Sequence, residues 1–115
     1  MVRSEVFRQI ALSFPEVVEH PHFEKNSYRV NKKIFVTYDE EKERITIKLS
    51  EKDQSVFCAF DPAIIYPVNG LWGKHGWTII ELKKIKKVML IDALTVAYCT
   101  VAPTRLGQLY NNGES

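Results

Sequence analysis

Apolar residues recur at helical spacing in three segments of the chain. The first, SEVFRQIALSF, has Ser4 in the N-cap position and is followed by Pro15, which ends the helix. The second, SEKDQSVFCAF, opens with an S-x-x-D capping signature at residues 50–53. The third runs from about residue 83 to residue 102 and is stopped by Pro103. These patterns predict three helices, each with an apolar face.

The segments between the helices alternate between apolar and polar residues, which is the pattern of half-buried strands. RITIKL and WTIIEL alternate regularly, and VVEHPHF and SYRV indicate shorter strands. In KIFVTY the alternation places Ile34, Val36 and Tyr38 on one face. Phe35 and Thr37 then lie on the other face. The charged connection DEEKE joins KIFVTY to RITIKL as a hairpin.

The order of these elements is typical of an α+β sandwich, in which helices pack on one face of an antiparallel β-sheet. With 115 residues the chain is long enough for one hydrophobic core. We therefore expect a single domain over residues 1–106, followed by a loose C-terminal tail over residues 107–115.

The composition is that of an ordinary soluble protein, 45% hydrophobic and 26% charged. The formal net charge is only +2, so nucleic-acid binding would require clustered basic residues rather than bulk charge. Cys58 and Cys99 lie in apolar surroundings typical of reduced core thiols. The sequence has no signal-peptide pattern and no apolar run near the ~20 residues of a membrane span. We expect a cytoplasmic protein without membrane contact.

Six stretches occur in an order that points to a family: FPEVVEHPHF, YRVNKKIFVTYDEE, KLS, DPA, PVNGLWGKHGWTIIEL and VAPTRL. Together they resemble the MmcQ/YjbR family, from the first helix to Leu106. The resemblance implies a frataxin-like (CyaY-like) α+β fold, in agreement with the element order. It also implies a non-catalytic DNA-binding function through a winged loop arrangement.

Two positions depart from the family pattern. Thr104 and Arg105 follow the Ala-Pro pair, where many relatives have two basic residues. The DEEKE connection stands where relatives often have a glycine-containing hairpin, and its four carboxylates would repel a phosphate backbone. This hairpin is therefore a poor candidate for a DNA-contacting wing.

The stretch GLWGKHGWTII places three glycines and both tryptophans around a Lys-His pair. We expect Gly73 and Gly76 to adopt left-handed backbone angles in a turn. Trp72 and Trp77 would pack across that turn, with Trp77 in the core. The spacing matches no phosphate-binding loop, so the exposed Lys-His pair is the part of the turn that a ligand could meet.

Basic residues are spread along the chain, including a run of lysines over residues 83–87. Their convergence on one surface depends on the fold, and scattered solvating charge is the alternative. If they converge, they would contact DNA phosphates with little sequence preference. The residues predicted to make these contacts are Lys74, His75, Arg29, Lys32, Lys33 and Arg105.

The sequence gives little support for a metal site or for catalytic activity. His20 and His22 would share one face of a strand, but a closed zinc site needs four converging ligands. Iron binding would need a carboxylate-rich helix, and the first helix has only Glu5 in its body. No diagnostic catalytic motif is present. We expect no metal, no cofactor, no small-molecule substrate and no enzymatic activity.

The last helix suggests a second class of function. VMLIDALTVAYCTVA has more apolar positions than one sheet face should absorb. Leu90, Ala97 and Val101 would then contact a partner protein or a second copy, which would make the chain a protein-interaction or self-association module. Alternatively, the second helix and the segment after Pro103 cover these residues.

Overall fold

The computed structural model describes residues 1–110. The three predicted helices and the predicted strands are present, together with two short helices that the periodicity did not indicate. In chain order the elements are α1 (Ser4–Ser13), β1 (Val18–His22), β2 (Lys25–Val30), β3 (Lys33–Asp39), β4 (Arg44–Lys48), α2 (Glu51–Phe60), β5 (Ile65–Pro67), α3 (Leu71–Lys74), β6 (Trp77–Glu81), α4 (Lys87–Val101) and α5 (Thr104–Gly107).

Within residues 1–110, six strands form one antiparallel sheet in the order β1-β2-β3-β4-β6-β5. On one face, α4 packs against β3 and β4, and α2 lies beside the edge strand β5. Phe7 of α1 contacts Tyr28 and Tyr38 on the same face, with ring centroids 5.4 and 5.2 Å apart. This arrangement confirms the predicted α+β sandwich.

A β-bulge in β3 overturns the predicted alternation of KIFVTY. Tyr28 pairs with Val36 and Arg29 with Ile34, so Phe35 has no counterpart on β2. At such a bulge two consecutive side chains can lie on the same side of the sheet. Phe35 and Val36 are both fully buried in the core, whereas Ile34 is only partly buried and lies on the opposite face.

An aromatic cluster closes the core beneath Phe35. Phe14 stacks on Tyr98 at 4.8 Å, and the Phe35 ring stands edge-on to both. The Tyr110 ring completes the cluster, 5.5 Å from Phe14 and 5.6 Å from Tyr98. Burial raises the pKa of Tyr98 to about 12, and its hydroxyl donates to Pro15 O at 2.8 Å.

The packed part of the chain extends beyond the predicted boundary at residue 106. Leu106 and Gly107 are buried in α5, and the chain remains packed as far as Tyr110. Residues 111–115 of the predicted tail lie outside the described part of the chain.

The two predicted N-caps have different outcomes. In α2, Ser50 Oγ accepts a hydrogen bond from the Asp53 amide at 3.1 Å, which confirms the capping signature. In α1, the cap prediction is wrong, because Ser4 is already the first helical residue. Arg3 occupies the cap position without a side-chain hydrogen bond to the helix.

Helix α4 begins at Lys87, later than predicted, because a turn after β6 first buries Ile85. Leu90 and Ala97 are fully buried, and Val101 is partly buried against the core. These residues belong to the protein's own core and do not form a free surface.

Two further predictions concern a membrane-spanning helix and the state of the two cysteines. Among residues 1–110, no helix combines the length and apolar character needed to cross a membrane. Cys58 and Cys99 are free, partly buried thiols, and burial raises the pKa of both.

Replacement of Phe35 by alanine tests the bulge. Phe35 is 0% exposed, so Phe35→Ala should lower the free energy of unfolding by about 3–5 kcal/mol, through lost burial and a residual cavity. Phe23 is 94% exposed and provides the control, since Phe23→Ala should change stability by less than about 0.5 kcal/mol. Urea denaturation measures both. Equal effects of the two substitutions would contradict the placement of Phe35.

Candidate functional site

The face of the sheet opposite α1 and α4 carries a shallow trough. The pairing of β2, β3, β4 and β6 aligns Ser27, Thr37, Thr46 and Ile79 in one row across this face. The trough crosses the row diagonally and has a volume of about 370 Å³. It is lined by His22, Lys25, Ile34, Thr37, Thr46, Val68, Trp72 and Trp77.

The two tryptophans form the wall and floor at one end of the trough. Trp72 is 65% exposed, and Trp77 is half-buried beside it, with ring centroids 6.5 Å apart and planes at 70°. The prediction that Trp77 belongs to the core is wrong, because β6 directs Thr78 and Ile80 inward instead. Lys48, paired with Trp77 across the sheet, places Nζ 5.7 Å from the centre of the Trp77 ring.

Close backbone packing fixes the loop that carries Trp72. Gly73 and Gly76 are buried, and a Cβ at either position would overlap a carbonyl group, that of Val68 or of Leu49 respectively. Gly76 has a positive φ of 96°, as predicted, whereas Gly73 lies in α3 and the other positive φ is at Gly70.

A side chain from α2 holds the same loop from inside. Gln54 Nε2 donates to Gly73 O at 2.9 Å, to Thr78 Oγ1 at 3.1 Å and to Trp77 O at 3.3 Å. The amide thus joins α2, α3 and the start of β6. Trp72 is therefore exposed on a rigid support.

The structure brings five of the six predicted site residues to one end of the sheet. Because the strands are antiparallel, the end of β2, the start of β3, the end of β4 and the start of β6 lie at the same end of the sheet. We call this the basic end. It comprises Arg29, Lys32, Lys33, Lys74 and His75, together with Lys48, which was not among the predicted residues.

The cations at the basic end are available for a ligand. Lys32, Lys33 and Lys74 are exposed, and within residues 1–110 none of the cations at this end forms an ion pair. Arg29 is partly buried and donates from Nε to Ser27 Oγ at 3.0 Å. Lys48 Nζ donates to the backbone carbonyl of His75, which links β4 to the loop.

Arg105 does not join this group. It lies in α5, and its two terminal nitrogens donate to the Glu16 carboxylate at 2.8 and 3.0 Å. The hydrogen bond from Arg105 lowers the pKa of Glu16, so this pair remains charged at neutral pH.

The opposite end of the sheet carries charges of both signs. Four carboxylates lie in or beside the connection between β3 and β4, and the lysine run of residues 83–87 follows β6 at this same end. Lys83 pairs with Glu43 at 3.1 Å, and Arg44 pairs with Glu81 at 3.0 Å. The fold therefore separates residues 83–87 from the basic end.

The histidine pair of β1 lies as predicted, with His20 and His22 on one face and Glu19 on the other. Glu19 accepts from Arg8 Nε at 3.0 Å and from the Tyr28 hydroxyl at 2.8 Å. In the described part of the chain, no three histidine, cysteine or acidic side chains are grouped so as to hold a metal ion.

Comparisons with known proteins identify both family and fold. The model of the YjbR family matches residues 12–100. A search of curated proteins found no match. Among solved structures, the Deinococcus radiodurans protein DR2400, which has a DUF419 domain, superposes with a TM-score of 0.72. The match has 18% sequence identity and covers 96% of this chain and 80% of that one, so it supports the fold alone.

The glycine packing predicts unequal effects of two alanine substitutions. Gly70 and Gly76 both have positive φ, but only a Cβ at Gly76 would overlap a neighbouring atom. Gly70→Ala should cost about 1–3 kcal/mol of stability from backbone strain. Gly76→Ala should cost at least about 1 kcal/mol more, because it also displaces the hydrogen bond from the Leu49 amide to Gly76 O. Thermal unfolding measures the order, and the reverse order would contradict the packing described.

Proposed function

The chain belongs to the YjbR family, and we propose that it is a non-catalytic nucleic-acid-binding protein that contacts mainly phosphates through its basic end. The observation that carries the proposal is the convergence of five cations at one end of the sheet, none of which forms an ion pair within residues 1–110: Arg29, Lys32, Lys33, Lys48 and Lys74. Fixed positive charge is sufficient for this kind of binding, which requires neither metal nor cofactor.

The distribution of charge supports the proposal more strongly than the net charge of +2 does. At the far end of the sheet the carboxylates and the lysines largely cancel and are partly paired, whereas at the basic end the cations form no ion pair among residues 1–110. Arg105 is left out of the proposed contacts because Glu16 already holds its guanidinium group.

The elements at the basic end favour low sequence specificity. Strand ends, a turn and the one-turn helix α3 present the cations. Specific readout of duplex DNA usually places a helix or a two-stranded ribbon in the major groove. Contacts from turns to phosphates position a protein on nucleic acid without reading its bases.

Self-association is an alternative proposal, and the residues that support it differ from those predicted from the sequence. Val88 is 81% exposed on α4 and lines a surface hollow together with Ile91 and with Phe60 of α2. Exposed apolar residues grouped in this way favour contact with another protein surface. A strictly monomeric protein in light scattering at high concentration would remove this alternative.

A salt titration with DNA tests the proposed function. If all five cations contact phosphates, the plot of log K against log salt for duplex DNA should have a slope of about −4 to −5. Lys74→Gln should weaken binding and make the slope shallower by about 1, because one phosphate contact is lost. Fluorescence anisotropy at several salt concentrations measures both quantities.

Lys87→Gln is the matched control, because Lys87 is an exposed lysine that lies at the start of α4, away from the basic end. It should leave affinity and slope unchanged. Absence of binding at low salt, or equal effects of the two substitutions, would count against binding at the basic end.

A further inference from the structure

Trp72 is a large aromatic side chain held rigidly on the surface. It belongs to α3, and its neighbour Gly73 is buried and bonded to Gln54. Its ring remains 65% exposed in spite of this support. Leaving an indole in water forgoes the favourable free energy of apolar burial, so a rigid and exposed tryptophan suggests a stacking surface.

The chemistry of the trough fits a planar ring that is attached to an anion. Ile34, Val68 and Trp77 supply apolar surface, and Thr37 and Thr46 also line the trough. Cations stand at both ends. At one end Lys48 lies over the Trp77 ring, and at the other Lys25 lines the corner beside His22.

The dimensions favour more than one nucleotide. The trough reaches from β2 to β6, which is three interstrand spacings or roughly 14 Å. It also adjoins the basic end, because Trp77 pairs across the sheet with Lys48, which belongs to that end. A strand following the trough would therefore have phosphate contacts available at each end.

From these features we propose that the ligand is single-stranded nucleic acid, with an unpaired base stacked on Trp72 in the trough and neighbouring phosphates on Lys48 and Lys25. In a duplex the bases are stacked and paired, so their faces cannot reach a trough in a sheet. Open sheet faces that combine aromatic rings with cations are a common way to bind unpaired bases. This inference rests on the proposed function and narrows it to one form of nucleic acid.

The test compares three probes of about twelve nucleotides: single-stranded DNA of mixed sequence, its duplex, and an abasic strand with the same backbone. The single strand should bind more tightly than the duplex or the abasic strand. Trp72→Ala should lower affinity for the single strand by between about 5-fold and 150-fold, the range expected for the loss of one stacked base. It should leave affinity for the other two probes within about 2-fold of the wild type.

Trp72→Phe is the conservative variant and should retain most of the affinity, because a phenyl ring can still stack. Circular dichroism checks that both variants fold, as expected for substitutions of an exposed side chain. If no probe binds at low salt, the proposed function itself fails. If single strand and duplex bind equally and Trp72→Ala changes neither, binding at the basic end stands and base stacking in the trough is wrong.

Discussion

The bulge in β3 determines what both faces of the sheet present. It directs two consecutive residues, Phe35 and Val36, into the core, where Phe35 completes the cluster with Phe14 and Tyr98. The same bulge leaves Ile34 on the open face, where it lines the trough. A regular strand would bury Ile34 and expose Phe35, so the core would lose a large aromatic ring. The core and the candidate binding surface thus depend on one irregularity in the backbone.

A second constraint joins the trough to the rest of the fold. Gly73 and Gly76 allow the α3 loop to lie directly against the carbonyl groups of Val68 and Leu49, and Gln54 fastens it to α2. The loop therefore holds Trp72 in a fixed position without burying it. Because ordering a flexible side chain on binding costs conformational entropy, a ring held in place in advance is well suited to recognition.

The regular parts of this architecture could be predicted from the sequence, and the irregular parts could not. RITIKL was predicted to be a half-buried strand, and its alternating residues Ile45 and Ile47 are fully buried. KIFVTY and WTIIEL carry apolar residues on both faces of the strand, so alternation alone does not show which face is buried. The bulge in β3 and the inward-facing Thr78 gave Phe35 and Trp77 placements that differ from the predicted ones.

In the candidate site, too, some features could be predicted from the sequence and others depend on the fold. The exposure of Lys74 and His75 followed from the glycines around them. Their convergence with Lys32 and Lys33 required the sheet register, which is set by pairing between distant segments. Lys48 could not be predicted as a site residue, because a polar residue on an alternating strand usually faces solvent without a specific role.

The central claim is that the basic end and the adjoining trough receive nucleic acid, and mapping of backbone amide NMR shifts during titration with single-stranded DNA tests it most directly. The largest changes are expected in residues 25, 29–34, 37, 46–49 and 72–77 and in the indole N–H signals, with the acidic connection at residues 39–43 unaffected. Changes concentrated at that acidic connection or around Val88 and Phe60, or no changes at all, would contradict it.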